Sequence, residues 1–139
     1  MSVQRAAEAP TCAPPDFKPR KPKLVLPRLS CDTHAHILGP AARYAYSAAR
    51  IYTPPDCLLP DYQHMLKTLG VERAVLVQPS VYGTDNTAML DAMKAAGKHF
   101  RGVAVVSDDI SEAELGRLHD GGVRGVRVNI VDVKDRKPG

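Results

Sequence analysis

No hydrophobic run in this chain is long enough to cross a bilayer. A membrane-spanning helix needs roughly 20 apolar residues in a row. The longest purely aliphatic stretches, Ala74–Val77 and Val103–Val106, are the size of strands. The N-terminus also lacks the apolar core of a secretory signal peptide. The expected location is therefore the cytoplasm, with no membrane partner. Cysteine is scarce too. Cys12, Cys31 and Cys57 are odd in number, widely spaced and never in a Cys-x-x-Cys pair. That argues against a disulfide framework and against a structural zinc site. An excess of one charge is missing from most of the chain. The net charge of +4 comes from residues 1–28, which hold six basic and two acidic side chains. The remaining 111 residues carry 13 of each sign. A basic arm without interleaved aromatics on a neutral body is not the footprint of a nucleic-acid binder.

What is present is a proline-rich lead-in followed by an alternating pattern. Residues 1–28 contain six of the twelve prolines. Proline removes backbone donors and restricts its predecessor, so this stretch is expected to be an extended or disordered arm. Packing against the body is expected near Leu24–Leu26. From residue 29 onward the chain reads as one domain. Leu29–His34 suits a first strand, stopped by Gly39-Pro40. Residues 41–57 form a long loop bearing Tyr44, Tyr46 and Tyr52, and loops of that length are commonly functional or disordered. Helices are expected over Leu59–Leu69, Thr87–Lys98 and from Ser111 to His119. Strands are expected over Arg73–Gln78, Phe100–Ser107 and Val123–Ile130. The order β-α-β-α-β-α-β builds a parallel sheet with right-handed crossovers. Two α/β architectures fit: an open doubly wound sheet, or the first four βα units of a (β/α)₈ TIM barrel.

The sharpest local feature is Asp32-Thr33-His34-Ala35-His36 at the end of the first strand. Side chains two apart in a strand share a face, so His34 and His36 should lie side by side. Neutral imidazoles so placed can hold one divalent cation; the alternative is two ordinary polar residues where a strand opens into a loop. Asp32 shares the face if the strand is regular. The C-terminal ends of parallel strands are also where barrel and open-sheet enzymes place their sites. Arg127, late in an aliphatic strand, needs an anion to justify its position, either a substrate carboxylate or a neighbouring Asp. His64, His99 and His119 sit on or near helix ends and read as surface groups. Gly83-Thr84-Asp85-Asn86 reads as a turn and helix cap, with an anion cradle as the alternative.

These residues carry a resemblance. Asp-x-His-x-His after a first strand is similar to the opening signature of the amidohydrolase superfamily of barrel hydrolases. Tyr52-Thr53-Pro54-Pro55, Val77-Gln78-Pro79-Ser80, Gly83–Asn86, Arg101–Val106 and Gly121–Asn129 resemble the 2-pyrone-4,6-dicarboxylate lactonase group within it. The likeness spans residues 29–131 and implies the front half of a barrel, with residues 29–139 as that half-barrel domain. It implies hydrolysis of a small anionic lactone. His34 and His36 would stand at the reaction centre, and Tyr52, Ser80 and Arg127 would contact substrate. The group leaves metal use open: either one divalent ion such as zinc on His34 and His36, or none. A further histidine and an aspartate acting as general base would come from later strands. Val81-Tyr82 departs from the more polar pair the group leads one to expect. A second substrate arginine is expected within Val131–Arg136. Alternative readings are a metal-dependent decarboxylase of an aromatic acid, and a non-catalytic half barrel. Four units leave two strand edges open, which invites self-association, and make this chain alone a poor catalyst or an inactive one.

Overall fold

The computed structural model describes residues 9–129. Its elements run β1 (Cys31–Ala35), α1 (Leu59–Leu69), β2 (Arg73–Val77), a 3-10 turn (Ser80–Tyr82), α2 (Thr87–Ala96), β3 (Phe100–Ala104), α3 (Glu112–Asp120) and β4 (Val123–Val126). The strands form one parallel sheet in the order β1-β2-β3-β4. Each helix returns the chain to the start of the next strand, which is the repeating unit of the (β/α)₈ barrel.

Local chemistry sets the element ends. Pro60 stands in the first turn of α1, where its missing N–H costs nothing. Gly70 ends α1 in the left-handed region (φ 78°), with its N–H directed at the carbonyls of Leu66 and Lys67. In α3 the Ser111 hydroxyl accepts from Glu114 N at 3.2 Å, a side-chain cap. Helix α2 stops at Ala96, short of the expected Lys98, because Gly97 follows at φ 84°. Strand β3 is three residues shorter than the expected Phe100–Ser107. The side chain of Asn86 takes both backbone groups of Val105, accepting its N–H at 3.1 Å and donating to its carbonyl at 2.9 Å. The ladder therefore ends at Ala104. Strand β4 ends at Val126, and Ile130, its expected end, lies outside the described residues. Strand β1 starts two residues late because the chain turns at Leu29 (φ 62°), with Ser30 N donating to Pro27 O at 3.3 Å.

The main core lies between the sheet and the helices. It joins Ala74, Leu76, Phe100 and Ala104 of the strands to Leu66, Met89, Met93 and Leu118 of the helices. Gly102 lets Met93 pack close on the sheet, since a Cβ there would meet its methyl end at 2.8 Å and the side chain would have to shift. A second cluster, Val81, Tyr82 and Ala88, carries the partly buried rings of Tyr44, Tyr46 and Tyr52. The loop of residues 41–57 is packed through these rings.

Residues 9–28 hold no helix, as their prolines require. They meet the body at two places. Thr53 N donates to Pro10 O at 2.7 Å and Thr53 Oγ1 to Ala9 O at 3.1 Å. Pro15, Asp16 and Phe17 border a cavity described below. Of Leu24–Leu26, where contact was expected, Leu24 and Val25 are 70% and 85% exposed and Leu26 is half-buried.

Candidate functional site

The two histidines come together at the C-terminal end of β1. Their ring centroids are 5.1 Å apart and the planes nearly perpendicular at 84°. Asp32 is not with them, contrary to the expectation from a regular strand. The pairing of β1 with β2 slips between Asp32 and Ala35. An irregularity of that kind flips which face a side chain takes. Asp32 is thereby turned toward α1, where its carboxylate accepts from Tyr62 Oη at 2.9 Å. Its other oxygen accepts from the His34 N–H at 3.1 Å, which steadies the bend. Burial and the Asp32 charge raise the pKa of the Tyr62 phenol, so it remains a donor. Ala35 packs on the helix-side core, and His34 and His36 flank it on the opposite side.

His36 is half-buried and fixed. Its Nδ1 lies 2.7 Å from Val77 O. A carbonyl can only accept, so the ring carries its hydrogen on Nδ1 and presents the Nε2 lone pair outward. Burial lowers the His36 pKa; the Val77 carbonyl opposes that, while His34 and Arg127 add to the lowering. The neutral form is therefore favoured. His34 is exposed.

Arg127 reaches the same place from β4. Its N–H continues the ladder to Ala104 O at 2.7 Å. Its Nη1 donates to Gln78 O at 3.1 Å. His36 and Arg127 are thus held on two consecutive carbonyls at the end of β2. No Asp or Glu pairs with Arg127 among the described ion pairs, so the anion that its position calls for is not supplied by a neighbouring carboxylate of the described residues. Ser80 opens the turn that follows β2, and Tyr52 packs half-buried on Val81, Tyr82 and Ala88 of that same segment. The structure gathers His34, His36 and Arg127, and sets Ser80 and Tyr52 on the adjoining β2–α2 segment.

Tyr82 is buried. Its hydroxyl accepts from the Gly39 N–H at 2.7 Å, tying down the chain just past the histidines. Gly39 itself has φ 91°, and a Cβ there would run into the carboxylate of Asp56. The Gly83–Asn86 segment is a turn and cap, with Asp85 Oδ1 accepting from Thr87 N at 3.0 Å. Val131–Arg136 lies outside the described residues. Two features escaped the sequence reading. Gln78 interrupts an aliphatic strand at its end, which is a legible oddity. Phe17, from the arm, closes with His36, Leu38, Leu58, Tyr62 and Met65 around a cavity of about 250 Å³, and nothing local in the sequence signals that.

Among the described residues no three His, Cys, Asp or Glu side chains are placed to hold one ion. Two imidazoles are one short of the three protein ligands usual at catalytic zinc. The described residues therefore do not by themselves make a metal centre. Among them no helix is long and apolar enough to cross a membrane.

Parallel strands alternating with helices, with a basic and imidazole cluster at their C-terminal ends, define part of a (β/α)₈ barrel of the hydrolase type. The family model described as Amidohydrolase matches residues 31–139, and the chain belongs to that family. It is 45% identical over 113 residues to 2-pyrone-4,6-dicarboxylate hydrolase of Comamonas testosteroni, covering 81% of this chain and 37% of the relative. It is 35% identical over 127 residues to 4-sulfomuconolactone hydrolase of Hydrogenophaga intermedia, covering 91% and 42%. A solved structure of a probable 2-pyrone-4,6-dicarboxylic acid hydrolase from Acinetobacter baumannii, with citric acid bound, matches with a TM-score of 0.68 at 32% identity, covering 72% of this chain and 37% of that one. The chain spans about two-fifths of the length of the curated relatives it matches.

Proposed function

We propose that the protein to which this chain belongs hydrolyses a small lactone bearing carboxylates, with 2-pyrone-4,6-dicarboxylate as the lead substrate. The observation that carries this reading is the placement of an Arg127 guanidinium without a described carboxylate partner beside a neutral, oriented His36. Water adds to the lactone carbonyl, the ring C–O bond breaks, and the products are a carboxylate and a hydroxyl. Arg127 receives a substrate carboxylate, for which its planar fork is suited. His36 offers Nε2 as an acceptor toward the water. Once protonated there, the same ring donates toward the oxyanion that forms. His34 lines the same opening, and Ser80 and Tyr52 are substrate contacts from the β2–α2 side. A divalent ion, where one is used, would take His34 and His36 as two of its ligands and supply Lewis-acid activation. The reaction is placed in the cytoplasm, in keeping with three unpaired cysteines.

Among the described residues the sheet has four strands, and the 139-residue chain alone is expected to turn over poorly and to self-associate through the open edges of β1 and β4. Function is best tested in a chimera. Residues 29–129 replace the matching segment of the Comamonas testosteroni relative, and hydrolysis of 2-pyrone-4,6-dicarboxylate is followed. The chimera should be active, and Arg127→Gln within it should lower kcat/KM by about 100-fold, the scale of losing a buried charge-assisted contact. A folded chimera without turnover contradicts the reading.

A further inference from the structure

The end of β2 carries the two carbonyls on which the site hangs. Val77 O receives His36 at 2.7 Å, and Gln78 O receives Arg127 at 3.1 Å. They are neighbours along one chain, so the backbone at 77–78 sets the spacing of imidazole and guanidinium. Gln78 N donates to Val103 O at 2.9 Å, which pins that backbone to β3. The Gln78 side chain is wholly buried, at 0% exposure. Its Nε2 donates to Gly83 O at 3.1 Å and Asp85 O at 2.7 Å. Its Oε1 has no partner among the described residues. A stranded buried acceptor costs stability, and an apolar side chain of equal size would avoid it. The amide supplies something an apolar group lacks, a tie from the end of β2 across to the far end of the segment that Ser80 opens. That segment is itself closed by Gly83 N on Ser80 O at 3.0 Å.

We propose that Gln78 is the positioning residue of this site. Its buried amide locks the turn after β2, and the locked turn fixes the Val77 and Gln78 carbonyls that hold His36 and Arg127 at one spacing. Gln78 acts through those carbonyls and touches no substrate. The proposal rests on His36 and Arg127 forming one site, and its test needs no turnover.

The experiment uses the 139-residue chain labelled with ¹⁵N. A held guanidinium shows separate Nη signals in NMR, and a free one averages them. The native chain should show separate signals for Arg127 and the Nδ1–H form of His36. Gln78→Met keeps the volume and removes the donors. It should average the Arg127 signals and erode the His36 tautomer preference while the signals of α1 and α3 stay in place. Citrate, used as the anion probe, should bind about 5- to 10-fold more weakly to Gln78→Met, as expected when a preorganised contact loosens. In the Arg127→Gln background the same substitution should change citrate binding by less than about 2-fold, the signature of two residues acting as one unit. Unchanged Arg127 and His36 signals in folded Gln78→Met, or equal weakening in both backgrounds, overturns the proposal. Should citrate fail to bind the native chain, the anion-site reading falls and the Arg127 signals still decide the role of Gln78. If Gln78→Met does not fold, the native chain decides. Its Gln78 side-chain amide should exchange with solvent at least about 10-fold more slowly than that of exposed Gln63, since buried bonded hydrogens open only with the structure. Equal rates overturn the proposal.

Discussion

The two sides of the sheet are built for different ends. On the helix side Ala74, Leu76 and Ala104 are at most 1% exposed and packed on methionine, leucine and phenylalanine. On the other side the ends of β1 and β4 carry an exposed His34 and the half-buried His36 and Arg127, the last two bonded to backbone carbonyls at the end of β2. The slip in β1 separates the two. It turns Asp32 to the helix side, where Tyr62 satisfies it, and leaves the histidines on the other. Stability thus resides on one face and chemistry on the other, and a substitution should report which face it touches.

The largest effect should come from the helix side. Leu76→Ala is expected to cost about 2–5 kcal/mol in urea unfolding, the range for truncating a fully buried leucine. A cost under about 1 kcal/mol, within the range of an exposed site, would break the comparison. Next comes the side chain that ends β3. Asn86→Ala strands both backbone groups of Val105 and should cost about 1–3 kcal/mol by the same measurement. His34→Ala sits at the small end, within about 0.5 kcal/mol, because exposed side chains away from special features contribute little to folding. Its effect should appear in the chimera's turnover.

A pH experiment sharpens the contrast without cutting any packing. The His36 pKa is lowered in the folded chain by burial first, with Arg127 and His34 adding to it. Above the unfolded value of about 6.5 both states hold the neutral ring, and His36 leaves stability independent of pH. As pH falls through 6.5 the unfolded state takes up the proton first, so stability is lost until the lower folded pKa is passed. His36→Gln should flatten stability against pH in that window. A native and a variant profile of equal slope would mean that His36 is not held as described.

Much of the fold is legible where the cause is local. Gly70 stops α1, Ser111 caps α3, and His34-Ala35-His36 places two imidazoles together by spacing alone; the expected second helix runs two residues too far, past the stop at Gly97. What is not legible depends on partners distant in the chain. The end of β3 is set by Asn86, nineteen residues before Val105. The turning of Asp32 depends on how β1 pairs with β2, and no alternation within residues 31–36 encodes that slip. The arm reads as proline-rich and extended, yet its contact with the body runs through Thr53 and the Phe17 cavity. Arg127 was legible as a strand residue in need of an anion, but its hold on Gln78 O required the sheet.

The most direct test of the account is whether the strand-end cluster receives a dicarboxylate. The ¹⁵N-labelled chain is titrated with 2-pyrone-4,6-dicarboxylate while the His34, His36 and Arg127 side-chain signals are followed by NMR. The account predicts that all three shift together and saturate at one ligand concentration, and that Arg127→Gln abolishes the shifts of both histidines. Saturation at the lysines and arginines of residues 18–28 alone, with the histidines and Arg127 unmoved, would contradict it.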